Sequence, residues 1–147
     1  MFKTYFLNYI ILGCSEYEVL DDNTRNVGYN YNTYGTTAKC DNDGHGNESP
    51  DWAGDNKWYR FQDPAGTKMI DYSPGTYGPC ATHFPIWLNG AHPNNLGETV
   101  ERTACVQSTS STCDDRYSTQ IQVRNCGQYF LYLLKNTKGC NFRYCAK

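Results

Sequence analysis

The 147-residue chain carries little net charge and little aliphatic material. Its formal net charge is −2, so it lacks the basic excess that would attract nucleic acid or an anionic membrane. No stretch approaches the length of a membrane-spanning helix, and we expect no transmembrane span. Hydrophobic residues make up 39% of the chain and the mean hydropathy is −0.72, so aliphatic packing alone is thin for a domain of this length.

Several motifs of catalytic and metal sites are also missing. There is no G-x-S-x-G nucleophile elbow, no phosphate-binding glycine pattern and no C-x-x-C pair. Heptads and longer internal repeats are absent, and helical periodicity is weak. We therefore predict a protein that is not an enzyme and that uses no cofactor.

Eight cysteines and many aromatic residues compensate for the thin aliphatic content. Aromatic residues make up 15% of the chain, and 13 of them are tyrosines. The even number of cysteines and their wide scatter are typical of secreted, disulfide-bonded domains, so we predict a secreted or extracellular protein. Spacing alone leaves the pairing open. The cysteines lie at positions 14, 40, 80, 105, 113, 126, 140 and 145.

Short strand-like runs indicate an all-β fold. Ile121 and Val123 alternate with polar residues, and 128–134 is a nearly continuous apolar run. The sequence Asn125-Cys126-Gly127 between these runs predicts a hairpin turn. We predict a single disulfide-stapled, β-sandwich-like domain with long polar loops. The predicted strands are 57–62, 67–72, 118–126, 128–134 and 141–145, and the predicted loops are 22–39, 41–56 and 106–115.

The first 13 residues admit three interpretations. They resemble a short signal peptide or a lipoprotein signal that ends at Cys14. Alternatively, the start of the chain is truncated or mis-predicted. We favour the last, with Cys14 inside a domain that spans 14–145.

Two alternative functions rest on single features. Asp41, Asp43 and Gly46 match the opening of a calcium-binding loop, but Trp52 stands where the closing glutamate belongs, so a solvated loop is favoured. His83 and His92 suggest a secreted hydrolase or a zinc site, although no nucleophile accompanies them and zinc needs a further ligand.

One glycosylation acceptor is present. Asn47 opens the sequon Asn47-Glu48-Ser49 within the acidic loop, and the following Pro50 lowers the expected occupancy. Asn89-Gly90-Ala91 misses the sequon because Ala91 has no hydroxyl.

Several motifs follow one another in a characteristic order. It runs through WYRF (58–61), CATHFPIWLNGAHP (80–93), IQVRNCGQYFLYLL (121–134) and a terminal C-x-x-x-x-C (140–145). This order resembles the eight-to-ten-cysteine extracellular module of uromodulin and of the pancreatic zymogen-granule membrane glycoprotein, over about 14–145. The resemblance implies an all-β, extracellular, non-catalytic module.

The resemblance also implies a disulfide pairing. It pairs Cys14 with Cys126, Cys40 with Cys140, Cys80 with Cys145 and Cys105 with Cys113. Two cysteines that bond to each other in ten-cysteine members are both absent here, so no cysteine is left over. Three of these bridges would close loops of roughly 60 to 110 residues, and each of the three is expected to stabilise the fold by about 4 kcal/mol in the chain-entropy model.

The predicted function is a non-catalytic extracellular interaction or structural module, part of an adhesive, matrix or receptor ectodomain. The expected partner is an extracellular protein or glycan, bound through the 22–39 and 41–56 loops, because tyrosine and asparagine suit adaptable contacts. In some family members the WLNG segment carries a glycan that adhesins bind, but Ala91 removes that sequon here. The predicted core residues are Trp58, Tyr59, Phe61, Trp87, Phe130, Tyr132 and Tyr144.

Overall fold

The structure, a computed structural model, describes residues 13–147. The signal-peptide and lipoprotein interpretations of the N-terminus therefore fall almost entirely outside the described residues. Among residues 13–147, no helix is long and apolar enough to cross a membrane.

The described chain forms one seven-stranded sheet with long connections. The strand order is β1-β2-β6-β5-β4-β3-β7, with parallel pairs at the two ends and antiparallel pairs between them. One α-helical turn, α1 (Tyr31–Tyr34), lies in the first long connection. The strands are β1 (Glu18–Leu20), β2 (Lys57–Phe61), β3 (Phe84–Asn89), β4 (Thr99–Val106), β5 (Thr119–Asn125), β6 (Phe130–Leu134) and β7 (Phe142–Tyr144).

The period-two pattern decides which face of the sheet becomes the core. In β5, Ile121 and Val123 are buried whereas Gln120 and Gln122 are exposed. The same alternation places aromatic and aliphatic side chains of all seven strands on one inner face. The main cluster includes Leu20, Tyr59, Phe61, Ile86, Leu88, Ala104, Val106, Ile121, Val123, Tyr132, Leu134, Phe142 and Tyr144.

The sheet curls until its two ends meet. The ring of Trp52 stacks on Tyr59 of β2 at 4.8 Å and on Tyr144 of β7 at 6.0 Å between centroids. Beside it, the backbone that follows β1 bonds the backbone that follows β7, because Val27 N–H donates to the Ala146 carbonyl at 2.8 Å. The curl therefore encloses a core between opposing parts of one sheet.

A buried ion pair caps the open side of edge strand β7. The Arg25 guanidinium donates to both carboxylate oxygens of Asp41, at 2.7 and 3.0 Å. Both residues are fully buried, and so is the neighbouring Arg143. Arg25 Nη1 also donates to the Tyr144 carbonyl at 3.0 Å, and Tyr144 N–H donates to Asp41 Oδ2 at 2.9 Å. The pair thus supplies the donor and the acceptor that a neighbouring strand would otherwise provide.

The neighbouring carboxylates keep the buried Arg25 guanidinium charged. Burial by itself would lower the pKa of Arg25, but the charges of Asp41 and Asp51 outweigh it and raise the pKa above its ordinary value. Burial would likewise raise the pKa of Asp51, but Arg25 keeps it below the ordinary value. Arg143, which lies among the same groups, has its pKa lowered to about 10 by burial and by the nearby charge of Arg25.

The all-β prediction is confirmed, and the structure adds the way in which the strands are arranged. One curled sheet, rather than two separate sheets, faces itself across the core. The predicted strand 67–72 is wrong, since this segment contributes only an isolated bridge from Met69 to Ala146. Two long strands were missed because Pro85 interrupts the pattern of β3 and charged Glu101 and Arg102 lie within β4.

We predict that Arg25→Ala lowers the free energy of unfolding by about 3–5 kcal/mol, because it leaves buried Asp41 without its counter-ion. Urea unfolding followed by tryptophan fluorescence measures this. The matched control is Arg116→Ala, which removes an ion pair to Asp114 from a side chain that is 64% exposed, and its cost should be much smaller. Equal losses in the two variants would contradict the capping role of Arg25.

Candidate functional site

A stacked pair of tyrosines lies at the helical turn α1. The Asn30 side chain caps α1 by accepting from Asn32 N–H at 2.9 Å, and Gly35 ends it in the left-handed conformation at φ 66°. Tyr29 and Tyr34 lie face to face, with ring centroids 4.6 Å apart and planes 20° from parallel. Tyr34 is 62% exposed, so Tyr29 supports a ring that lies largely in solvent.

A second loop brings another exposed tyrosine beside α1. Tyr77 has a left-handed backbone, at φ 54°, which is costly for an aromatic residue. The loop is closed by Tyr77 N–H donating to the His83 carbonyl at 2.8 Å, and Asn32 Nδ2 of α1 donates to the Tyr77 carbonyl at 2.6 Å. Tyr77 is nevertheless 47% exposed, so the strained backbone displays a large ring to solvent.

The imidazole of His83 lies between Tyr31 of α1 and Tyr77 of the second loop. Its ring lies 5.8 Å from Tyr31 and 5.4 Å from Tyr77, and its Nδ1 is 3.1 Å from the side-chain oxygen of Asn141. We call the resulting set the tyrosine surface. It consists of Tyr29, Tyr31, Tyr34, Tyr77 and His83.

The tyrosine surface comes from segments that contain no charged residue. Residues 26–38 and 72–97 hold no Asp, Glu, Lys or Arg. Arg25, which precedes the first segment, is fully buried in the ion-pair network. These two segments therefore offer aromatic, hydroxyl and amide groups but no Asp, Glu, Lys or Arg side chain.

Part of the 41–56 loop, predicted as an exposed binding loop, belongs to the scaffold. Asp41, Ser49 and Trp52 are buried, and the Ser49 hydroxyl donates to the Cys40 carbonyl at 3.0 Å. Exposed residues in its first half are confined to 43–47, which include the sequon residue Asn47. Composition could not separate the two parts, because the buried residues are held by polar and aromatic contacts rather than by aliphatic ones.

The calcium-loop alternative conflicts with these contacts. Both carboxylate oxygens of Asp41 are bonded to Arg25, and Asp43 Oδ2 accepts from the Asn136 amide at 2.9 Å. Within residues 13–147, no group of three or more His, Cys, Asp or Glu side chains could hold a metal ion.

The two histidines have different surroundings. His92 Nε2 lies 2.9 Å from the Tyr132 hydroxyl, and Met69 N–H donates to the same hydroxyl at 3.0 Å. Burial raises the pKa of Tyr132, so the phenol keeps its proton and its O–H is available to donate a hydrogen bond to His92 Nε2. Burial first, and then the positive charge of Lys68, lowers the pKa of His92 to about 4. His92 is thus a neutral acceptor inside the scaffold.

The structure joins the cysteines as Cys14–Cys126, Cys40–Cys140, Cys80–Cys145 and Cys105–Cys113. These are the pairs that the family resemblance implies. The first ties the segment before β1 to the β5–β6 hairpin, and the next two tie the connections on either side of the tyrosine surface to the ends of β7. The short fourth bridge closes the loop after β4.

Both of the predicted core tryptophans lie on the outer face instead. Tyr59, Phe61, Tyr132 and Tyr144 are buried in the main cluster, and Phe130 packs partly buried against it. Trp58 and Trp87 are half-buried beside disulfides, because their strand neighbours already point inward. Trp87 Nε1 donates to the Thr112 carbonyl at 2.8 Å. Asn89 is the last residue of β3, and the bend that follows falls on Gly90 at φ 125°.

Arg60 and Arg124 also lie on the outer face, where each contacts an aromatic ring. The Arg60 guanidinium lies 4.0 Å from the Tyr129 ring centroid and donates to the Tyr17 hydroxyl at 3.0 Å. Arg124 lies 4.2 Å from the centroid of Trp58. These cation–π contacts cover the Cys14–Cys126 region and give both arginines a structural role.

Comparison with known proteins agrees with this architecture. A model of the "Uromodulin-like" domain family matches residues 59–146, more than half of the chain. The chain belongs to the uromodulin-like domain family. Pancreatic secretory granule membrane major glycoprotein GP2 of Canis lupus familiaris is 35% identical over 134 residues, which cover 90% of this chain and 23% of that protein. Uromodulin of Rattus norvegicus is also 35% identical over 134 residues, covering 90% of this chain and 18% of that protein.

This uromodulin-like chain spans about a fifth of the length of the curated relatives that it matches. Four disulfides and membership of the family identify it as a secreted or extracellular module. The family match begins within β2 and runs past the end of β7, whereas the tyrosine surface draws Tyr29, Tyr31 and Tyr34 from the preceding segment.

We predict that His92→Gln makes the stability of the module less sensitive to acid. The ordinary pKa is 6.5 and the folded pKa about 4, so the unfolded chain takes up this proton first as the pH falls. His92 thus removes stability between pH 6.5 and pH 4, by about 1–2 kcal/mol after allowance for its partial exposure. Glutamine keeps an acceptor for Tyr132 and takes up no proton.

Urea unfolding at several pH values across this window measures the effect. His45→Gln is the control, because His45 is exposed in the acidic loop. The loss of stability should be smaller in His92→Gln than in the wild type and unchanged in His45→Gln. Parallel profiles for all three proteins would show that His92 does not titrate between its two environments.

Proposed function

We propose that this uromodulin-like module is a non-catalytic extracellular interaction module, which binds its partner through the tyrosine surface. The observation that supports this most directly is the pair of solvent-facing rings, Tyr34 and Tyr77. Both are held in place, by stacking on Tyr29 and by a closed loop respectively. Large aromatic residues that are fixed and exposed supply contact area at low entropic cost, as they do in antibody loops.

The scaffold supports a binding role because it does not need these rings. Tyr34 and Tyr77 lie outside the three buried clusters that form the core. Placing apolar rings in water costs free energy, and a strained φ at Tyr77 adds to that cost. A partner that covers the rings would recover the first of these costs.

The surroundings of the histidines support the absence of catalysis. Tyr132 holds His92 as a neutral acceptor, and His83 contacts Asn141 and two tyrosine rings. In residues 13–147 neither imidazole is hydrogen-bonded to a serine, threonine or cysteine side chain. A general base acting on a nucleophile needs such a contact.

We propose further that the module extends over 14–145. The segment before the family match supplies β1, the Arg25 ion pair and Cys14, all of which bond to the rest of the sheet or to its connections. We also propose Asn47 as the glycan acceptor, since it is exposed on the tip of the acidic loop.

The test is adhesion to extracellular material. Labelled module is applied to immobilised extracellular matrix and to mucus, as wild type and as the Tyr34→Ser, Tyr77→Ser and double variants. We expect the double variant to lose at least tenfold in binding, because two exposed rings each contribute on the order of 1 kcal/mol or more to a contact.

Tyr72→Ser is the matched control, since Tyr72 is 46% exposed but contacts Lys147 rather than the tyrosine surface. It should bind like the wild type. Melting temperatures verify that all variants fold. Equal binding by the wild type and the double variant would refute the proposed surface, as would equal losses in the control.

A further inference from the structure

The tyrosine surface has a chemical character that narrows its ligand. Its two contributing segments, 26–38 and 72–97, are free of charged residues. An anionic glycan, a nucleic acid or an acidic lipid surface would be recognised by Lys or Arg side chains, which these segments lack. The surface is therefore suited to an uncharged ligand.

The area of the surface limits the size of that ligand. Two tyrosines that are 62% and 47% exposed offer on the order of 200 Å² of ring surface. A stable protein–protein interface buries about 800 Å² on each partner. The exposed rings alone are thus too small for a protein interface, but they match one or two rings of a small ligand.

The polar groups beside the rings complete the chemistry. The hydroxyls of Tyr34 and Tyr77 and the Asn32 amide oxygen have no hydrogen-bond partner among residues 13–147, and Asn32 and Thr33 are exposed on the same helical turn. Aromatic faces pack against the C–H faces of a pyranose, while hydroxyl and amide groups bond its hydroxyls. Few other extracellular ligands are both uncharged and rich in hydroxyls.

The geometry of the stack suits this use. Tyr29 covers one face of Tyr34 at 4.6 Å, so the opposite face is the one that remains for a ligand. Asn30 and Gly35 fix the turn that carries Tyr34, and the hydrogen bond from Asn32 to the Tyr77 carbonyl fixes the second ring relative to the first. A preorganised platform keeps the entropic cost of binding small, which matters for a weak ligand.

We propose that the tyrosine surface binds a neutral saccharide, by stacking a sugar ring on Tyr34 and hydrogen bonding it through Asn32 and the tyrosine hydroxyls. This inference rests on the proposed function, since it names the ligand class of the same surface. The sugar is uncharged and is carried by an extracellular glycoprotein or matrix glycan.

The first experiment uses neutral oligosaccharides with terminal mannose, galactose, glucose or N-acetylglucosamine, immobilised on beads, with heparin as the anionic comparison. We expect the wild-type module to bind at least one neutral sugar in preference to heparin. Tyr34→Ala should weaken this binding about five- to tenfold, and Tyr72→Ala should leave it unchanged. Binding should also be the same in about 50 mM and 500 mM salt, because no ion pair is involved.

Three outcomes would overturn the saccharide proposal. They are heparin binding that exceeds neutral-sugar binding, a loss of binding at high salt, and no effect of Tyr34→Ala on binding of the preferred sugar. A Tyr34→Phe variant separates the two kinds of contact, since it keeps the ring and should retain most of the affinity if stacking dominates.

A second experiment distinguishes failure of this inference from failure of the proposed function. Immobilised matrix is treated with periodate, which cleaves sugar diols, before the module is added. Adhesion that depends on Tyr34 and Tyr77 but survives periodate would mean a protein partner. The proposed binding surface would then be supported, and the saccharide proposal would be refuted. Adhesion that is lost with periodate and with the tyrosine variants supports both.

Discussion

The buried ion pair between Arg25 and Asp41 is the contact on which the closed form of this module depends. A single sheet has two edges, and each edge presents backbone donors and acceptors that need partners. Here Asp41 accepts from Tyr144 N–H and Arg25 donates to the Tyr144 carbonyl, so side chains from the first long connection replace a strand at the β7 edge. The same residues bring Trp52 and the segment after β1 across the core, which lets one curled sheet enclose its own interior.

The disulfides stabilise the fold in a different way from the ion pair. The pair gives the edge its hydrogen bonds, whereas Cys14–Cys126, Cys40–Cys140 and Cys80–Cys145 link residues 112, 100 and 65 positions apart and so restrict the unfolded chain. The two devices meet at one place. Cys40 directly precedes Asp41, and Cys145 directly follows Tyr144. Long polar connections can therefore be tolerated between these points, because their ends are fixed on the edge strand.

Sequence patterns predicted the parts of the fold that follow simple periodicity. Alternation in β5 and the apolar run of β6 predicted the central hairpin, and the family resemblance implied the four pairs in which the structure joins the cysteines. Patterns failed where tertiary contacts decide. Trp52 and Asp41 sit in a stretch whose glycines and acids predict a solvated loop, yet a partner distant in sequence, Arg25, makes them part of the core. The tyrosine-rich 22–39 segment was predicted as a contact surface from composition, but its partner Tyr77 comes from a loop that only the fold brings beside it.

The separation between scaffold and surface has a consequence for function. The residues that close the sheet are buried and charged, while the segments that form the tyrosine surface are uncharged and lie largely outside the core clusters. Each of these segments is anchored by a bridge, one by Cys40 two residues beyond its end and the other through Cys80 within it. Substitutions at Tyr34 or Tyr77 therefore alter the proposed binding surface without removing a contact that closes the sheet.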